Sequence, residues 1–489
     1  MNFRALLNIL GALLTILGLT MIFPIVVSLI FGESDWRAFS VSSAMCIFIG
    51  FPSWYITRNN RSLTNRDGFV IVTFSWLCTA IIGTLPFYIS GVIPNITDAF
   101  FEAMSGVTTT GATIIGNSQT LPNLPNGIES LPHGILFWRS FLQWIGGMGI
   151  VVFYIAILPL LGVGGVQLFK AEVPGPVADK ITPRVRETAK LLWMVYFGFT
   201  AVQFICLYVS GMPLFDSICH SFTTMPTGGF STKNASVGFY NSFSTQYIII
   251  FFMFLAGINF SLHFHALRGN VKSYFQDKEF LTFLGIIFFV STIIFVNISI
   301  NGNAWTEKHF RESLFQTLAI LTGTGYTTAD YERWSYFAQF ILFFMMFIGG
   351  MGGSTTGGMK IVRIMLLFKF ALTEIRRMLH TRALIPIRIG KKYIDDDIIR
   401  NTIGFFFFYV SAFGIAALLL SATGLDMVSA LGAAASGMGN IGPGLGDFGP
   451  TDNYALLSSP GKWVMIFCML LGRLEIFTIL ILFSRTFWK

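Results

Sequence analysis

Ser105-Gly106-Val107-Thr108-Thr109-Thr110-Gly111-Ala112-Thr113 is a hydroxyl-rich turn at the end of a short apolar segment. Three later stretches repeat it: Thr223-Thr224-Met225-Pro226-Thr227-Gly228-Gly229-Phe230, Ile320-Leu321-Thr322-Gly323-Thr324-Gly325-Tyr326-Thr327, and the more altered Ser436-Gly437-Met438-Gly439-Asn440-Ile441-Gly442-Pro443-Gly444. With Gly111, Gly228, Gly325 and Gly442 as anchors, the spacings are 117, 97 and 117 residues. One copy alone reads as an ordinary Thr-Gly turn. Four in register inside an apolar chain read as a fourfold repeat.

A glycine after one or two threonines lets the backbone turn its carbonyls toward an axis where side chains would collide. Four such turns about one axis form a ring of carbonyl oxygens, which can replace the hydration shell of a monovalent cation.

The flanking sequence says in what medium the ring sits. Of the 489 residues, 54% are hydrophobic and 11% charged, with a mean hydropathy of +0.68. Soluble domains carry about 25% charge, so a polytopic membrane protein is expected. The five cysteines (46, 78, 206, 219 and 468) form no close pair, and the six histidines are dispersed. Neither a disulfide framework nor a metal cluster is read from them. An enzyme would need a clustered nucleophile, base or metal set, and none is found, so no cofactor is expected. The net charge of +8 collects in alternate loops, as orientation signals do. That distribution argues against nucleic acid as a partner.

Residues 5–31 and about 37–57 form two apolar helices without a glycine turn, and 1–67 is taken as an N-terminal pair. The first repeat, 68–170, opens with a span over 68–91. A segment of about ten residues from Pro94 follows, too short to cross ~30 Å of hydrocarbon. It leads into the first turn, then a loop with Pro122, Pro125 and Pro132, and an apolar run over 134–168. The unit is span, half-helix, turn, span. It recurs in 184–272 (188–211, 213–225, 245–267), in 276–392 (279–300, 309–322, 335–370) and in 395–489 (398–424, 426–439, 462–484). The predicted fold is therefore all-α, with four pseudo-symmetric repeats around one pore plus two N-terminal helices.

Each half-helix has an acidic residue near its start, Asp98, Asp216, Glu312 or Asp426. A carboxylate there reads as an ordinary N-terminal cap that also complements the positive helix end, and the negative end faces the turn. With a cytoplasmic N-terminus, the inner loops hold Arg58/Arg61/Arg66, Lys170/Lys180/Arg184/Arg186/Lys190, Arg268/Lys272/Lys278 and Arg376/Arg377/Arg382/Arg388/Lys391/Lys392, and the chain ends inside at Arg485 and Lys489. Positive charge then stays inside, and all four turns enter from outside.

Some residues break the apolar rule. Gly349-Gly350-Met351-Gly352-Gly353-Ser354-Thr355-Thr356-Gly357-Gly358 interrupts the second span of the third repeat. Each glycine costs about 1 kcal/mol against alanine inside a helix. A loop beneath the ring is expected, since non-helical backbone at membrane depth must be buried in protein or line water. A small-residue packing face is the other reading. Arg473, in the last span, should face the interior, with Glu475 or the carbonyls of the 349–358 loop as partners. It reads either as a positive barrier in the permeation path or as a tether for the loop. Arg139 is expected at the interface with a snorkelling stem, and Asn259, His263 and His265 are given no site.

Together, the four units, the turns and the Gly-Gly-Ser-Thr-Thr-Gly-Gly loop resemble the Trk/Ktr/HKT potassium-transporter superfamily over essentially the whole chain. The extra N-terminal helix pair makes the TrkH branch the nearer match. The resemblance implies a K⁺-binding filter at Thr109, Thr110, Gly111, Pro226, Thr227, Gly228, Gly323, Thr324, Gly325, Asn440, Ile441 and Gly442. It implies an intramembrane gate over Gly349, Gly350, Gly352, Gly353, Ser354, Thr355, Thr356, Gly357 and Gly358, with Arg473 as the associated basic residue. It further implies potassium as substrate, a homodimer with one pore per protomer in the bacterial cytoplasmic membrane, and a cytoplasmic nucleotide-binding ring resembling TrkA. Pro226, Asn440 and Ile441 depart from Thr, but backbone carbonyls survive those changes. In the related plant group, Ser at the first anchor goes with sodium transport; glycine at all four anchors favours potassium. An ion-coupled secondary transporter built on discontinuous helices would instead be expected to show inverted or paired repeats.

Overall fold

A computed structural model describes residues 2–58, 65–116, 124–157, 185–302, 304–380, 385–390, 392–394 and 396–488. Arg61, Pro122, Lys170, Lys180, Arg184, Arg382, Lys391 and Lys489 lie outside the described residues.

The chain is a multi-pass helical membrane protein. The N-terminal pair comprises α1 (Phe3–Thr20), its continuation α2 (Ile22–Phe31), and α3 (Trp36–Thr57). Helices α1 and α3 cross where Gly11 faces Gly50. A Cβ on Gly11 would lie 2.8 Å from the Gly50 carbonyl oxygen, so only glycine permits this approach. Close backbone packing of this kind is how helices associate in lipid, where burying apolar surface supplies little drive. Asn8 adds a hydrogen bond to the Trp54 carbonyl at 2.8 Å.

The four repeats follow. The first has α4 (Asn65–Ile89), half-helix α5 (Ile96–Val107) and α6 (His133–Ile157). The second has α7 (Val185–Val209), half-helix α8 (Leu214–Thr224) and a bent pair, α9 (Phe243–Ala256) and α10 (Phe260–Leu267), followed by the short α11 (Lys272–Gln276). The third has α12 (Lys278–Asn301), half-helix α13 (Glu307–Leu321), α14 (Tyr336–Met345) and α15 (Ile361–Leu379). The fourth has α16 (Asp396–Ala422), half-helix α17 (Met427–Gly439), α18 (Ser459–Arg473) and α19 (Phe477–Leu480). A two-residue antiparallel pairing, Arg388–Ile389 with Lys392–Tyr393, and an isolated parallel bridge, Ile348 with Met359, are the departures from all-α structure among the described residues. Six helices are long and apolar enough to cross a membrane among those residues, eight if each bent pair counts as one.

Two expectations about these elements need correcting. The second spans were expected to be continuous outside the third repeat, but α9 and α10 meet at 101° and α18 turns by 108° into the segment that follows. In α6 the backbone leaves helical geometry at Gly149. The freed backbone groups find partners in the neighbouring break: Phe260 N–H donates to Gly353 O at 3.1 Å, and Met351 N–H donates to Gly257 O at 3.0 Å. Breaks are therefore tolerated where repeats meet, as they would not be against lipid. Second, of the four carboxylates at the half-helix starts, Asp426 alone serves as the N-cap, accepting from Val428 and Ser429 N–H. Asn95 and Thr306 cap α5 and α13. Asp98 instead pairs with Lys462 at 2.7 Å, Asp216 accepts from Thr232 and Tyr240, and Glu312 lies 3.7 Å from Lys308.

Candidate functional site

The half-helices all end in buried polar turns, and the hydrogen bonds align those turns residue by residue. Thr109, Thr227, Gly323 and Asn440 each donate their N–H to the carbonyl three residues back. All four have positive φ: 53°, 57°, 69° and 53°. Two residues later a glycine has positive φ in every copy, namely Gly111, Gly229, Gly325 and Gly442. Thr110, Gly228 and Ile441, between these positions, each donate to the carbonyl five residues back. The residues between have negative φ, and backbone of alternating hand turns successive N–H groups to one side and successive carbonyls to the other. Here the N–H groups face the half-helix that precedes them.

This alignment corrects the second copy by one residue. Gly229 is the counterpart of Gly111, and Thr227, Gly228 and Gly229 form the turn. Pro226 matches Thr108 and lies just before it. Thr-Gly-Gly offers two glycines, and backbone hand distinguishes them.

The turns make a closed ring in chain order. A Cβ on Gly111 would strike the carbonyl oxygen of Gly228, one on Gly229 that of Thr324, and one on Gly325 that of Ile441. A Cβ on Gly442 would lie 2.9 Å from the carbonyl oxygen of Thr110, returning to the first turn. Among the described residues, the carbonyls of Thr110, Thr324 and Ile441 accept no hydrogen bond. The Thr109 hydroxyl and the Asn440 amide oxygen are also buried without a partner. Unpaired buried polar atoms are costly, and a ring of them has the chemistry of a cation ligand set.

Side chains lock the ring from outside. Gln143 of α6 donates to Gly228 O at 2.7 Å and accepts from Phe230 N–H at 3.0 Å. Tyr326 hydrogen-bonds Thr223 and Thr224 at the end of α8. Tyr454 donates to Gly442 O at 3.0 Å.

Arg139 is not interfacial. It is 1% exposed, and its Nε donates at 2.8 Å to Glu102, which is wholly buried on α5. Its guanidinium also stacks on Phe230, 4.1 Å from the ring centre. Sequence reading overlooked Glu102; its one signal was an acidic residue in the middle of a buried half-helix, unlike the terminal carboxylates.

Residues 346–360 between α14 and α15 are not helical. Gly349 N–H donates to Met359 O at 2.9 Å and Met359 N–H to Phe347 O at 3.2 Å, so the segment folds back on itself. Thr355 reaches the ring: its carbonyl accepts from Thr227 Oγ1 at 3.2 Å, and its hydroxyl donates to Met225 O at 2.9 Å. One carboxylate oxygen of Glu279 accepts from Gly352 N–H at 2.8 Å and from Val362 N–H at 3.0 Å, tying the loop to the helix that leaves it.

Arg473 donates to Thr355 O at 2.8 Å, and to Gly146 O and Gly147 O of α6 at 2.6 and 2.8 Å. Of the two partners read from sequence, the loop carbonyl is present, whereas Glu475 pairs with Arg363 of α15. Chain reversal at Leu474–Ile476 turns Glu475 away from its near neighbour.

Comparison with known proteins agrees with this architecture. A TrkH family model, described as cation transport protein, matches residues 37–489. The chain is 42% identical to the Trk system potassium uptake protein TrkH of Salmonella typhimurium over 100% of both chains. It is 35% identical to TrkI of Halomonas elongata over 99% of this chain and 96% of that one. The crystal structure of the potassium transporter TrkH from Vibrio parahaemolyticus superposes with a TM-score of 0.88 at 38% identity, covering 100% of both chains. By sequence and by fold, the chain belongs to the TrkH family of cation transport proteins.

Proposed function

We propose that this protein takes up potassium across the bacterial cytoplasmic membrane through a selective pore. The observation that carries the reading is the closed ring of turns, in which each anchor glycine abuts a carbonyl of the next. A dehydrating K⁺ ion needs several oxygen ligands at fixed positions. Thr110, Thr324 and Ile441 supply free carbonyls, with Gly228 as the fourth member. The C-terminal, negative ends of four half-helices face these turns and favour a cation over an anion. The relatives' names, which specify potassium uptake, support the choice of ion.

The loop over 346–360 acts as the gate. Thr355 sits against the second turn, and Arg473 holds it there while also binding α6. Arg473 is thus a tether, and its charge adds a barrier to cations passing the closed loop. Opening requires that the Arg473 and Glu279 bonds be exchanged for others.

Both termini are cytoplasmic, in keeping with the Lys and Arg distribution. The functional unit is a homodimer, and a cytoplasmic nucleotide-binding subunit resembling TrkA drives the gate. The relatives' "Trk system" names fit a further component.

The test is rubidium uptake into liposomes containing the purified protein, driven by an outward K⁺ gradient and competed with sodium. Uptake blocked by external K⁺ and not by Na⁺ is expected. Uptake blocked equally by both ions would overturn the selectivity. Absence of uptake, repeated with residues 352–356 removed, would overturn the pore.

A further inference from the structure

The position nine residues before each anchor glycine is occupied by Glu102, His220, Gln316 and Ala433. In three repeats it bonds the strand leaving the turn. Glu102 accepts from Thr113 Oγ1 at 3.0 Å and from Ile114 N–H at 3.0 Å. His220 bonds Ser231 Oγ at 3.1 Å. Gln316, with its carboxamide oxygen turned toward the backbone, accepts from Thr328 N–H at 2.9 Å. Neutral residues therefore suffice for this tether in the second and third repeats, and the fourth does without it.

The first repeat alone places a charge there, which requires a buried counter-ion. Burying such a pair costs several kcal/mol per ion before attraction and hydrogen bonding offset it. Arg139 does more than neutralise Glu102. Its Nη2 donates to Thr113 Oγ1 at 3.3 Å, its Nη1 to Ser231 O at 3.3 Å, and its face covers Phe230. Thr113 and Ser231 occupy equivalent places, two residues after Gly111 and Gly229. One guanidinium therefore bridges the exits of adjacent turns. One helical turn along α6, Gln143 holds Gly228 and Phe230 in the second turn. No residue in this bracket offers an oxygen to the ring itself.

We propose that Glu102, Arg139 and Gln143 form a positioning bracket that fixes the spacing of the first and second turns and so determines the preference for potassium over sodium. The inference rests on the reading of the ring as a K⁺ filter. A smaller ion is favoured when carbonyls can close in on it. The bracket opposes that collapse, because the planar fork of Arg139 can satisfy Glu102, Thr113 and Ser231 only at one separation. A bond that merely supported folding would alter how many molecules conduct, and would leave the ratio of ions carried by each unchanged.

The experiment measures the K⁺-to-Na⁺ flux ratio in liposomes for Glu102→Gln, Arg139→Lys and Gln143→Leu, with amounts of folded protein matched by size-exclusion chromatography. Glu102→Gln keeps an acceptor for Ile114 but leaves the cation unpaired. Arg139→Lys keeps the charge but loses the fork. Each is expected to lower the ratio about tenfold, the order of effect of losing one buried hydrogen bond. Should the charged pair tolerate no change, Thr113→Val removes the shared hydroxyl without touching either charge, and the same fall is expected. A selective parent whose variants keep its ratio overturns the bracket alone. A parent that does not discriminate overturns the filter reading, and this inference with it.

Discussion

Asn440 and Thr110 meet where the fourth turn abuts the first, although 330 residues separate them: Asn440 Nδ2 donates to Thr110 Oγ1 at 3.0 Å. The same amide donates to Met469 O at 2.9 Å. The bond joins the fourth turn to the first and completes the ring that chain order opens. Asn440 combines this reach with a left-handed backbone, which asparagine accepts more readily than other non-glycine residues. Replacing it with glycine keeps the backbone free but deletes both bonds. Asn440→Gly is expected to cost about 1–3 kcal/mol of stability and to lower the K⁺-to-Na⁺ flux ratio. Thermal melting and competed rubidium uptake check this, and an unaltered ratio would refute a filter role for the closure.

The assignment of Gly229, rather than Gly228, as the second anchor separates two neighbouring alanine variants. At Gly229 a methyl group meets the Thr324 carbonyl, and φ is 75°. The left-handed backbone alone costs about 1–2 kcal/mol for a residue with Cβ, and the displaced carbonyl belongs to the ring. At Gly228 the methyl group meets the carboxamide end of Gln143, a rotatable side chain and not a ring carbonyl, and displacing it costs the bonds to Gly228 O and Phe230 N–H. Gly229→Ala is expected to abolish rubidium uptake, with Gly228→Ala retaining a measurable part. The reverse order would restore Gly228 as anchor.

Serine at Gly111 would push directly on the Gly228 carbonyl. Loss of a carbonyl ligand weakens the dehydrated K⁺ site more than it hinders a hydrated sodium ion. Gly111→Ser should therefore raise sodium flux relative to potassium, measured with sodium-sensitive dye in the same liposomes. An unchanged preference would count against carbonyl coordination at this level.

Glu279 offers a graded test of the gate. Gln at this position keeps an oxygen for Gly352 and Val362 N–H, whereas Ala leaves both unpaired, at about 1–3 kcal/mol each. Glu279→Ala is expected to raise basal rubidium uptake several-fold, and Glu279→Gln to stay near the parent. Equal flux in all three proteins would show that these bonds do not hold the loop shut.

Arg473→Ala removes the donors to Thr355, Gly146 and Gly147 together. Faster uptake by this variant is expected, with a lowered melting temperature because three buried carbonyls lose a partner. Lysine, with one amine in place of the planar fork, should fall between. Slower uptake in a well-folded Arg473→Ala protein would contradict both tether and barrier.

How far the sequence reached follows from the range of the forces involved. Hydropathy, the span–half-helix–turn–span repeat, the non-helical glycine stretch and the capping of α17 by Asp426 are local matters of chain propensity and segment length, and they were legible from residue order. So was the need of Arg473 for a partner, because lipid offers none. The identity of the partners was not. Glu102 meets Arg139 from 37 residues upstream, and Arg473 takes carbonyls from two other repeats. In Thr227-Gly228-Gly229 either glycine satisfies local rules, and the Thr324 carbonyl of the next repeat is what excludes a side chain at Gly229. The bends in α9–α10 and after α18 likewise look like continuous spans by composition, since a break is stable only when another repeat receives its backbone hydrogen bonds. Residue order thus determined the four units and their medium. Closure of those units into one ring decided register, pairing and where each helix ends, because each depends on atoms brought together only by that closure.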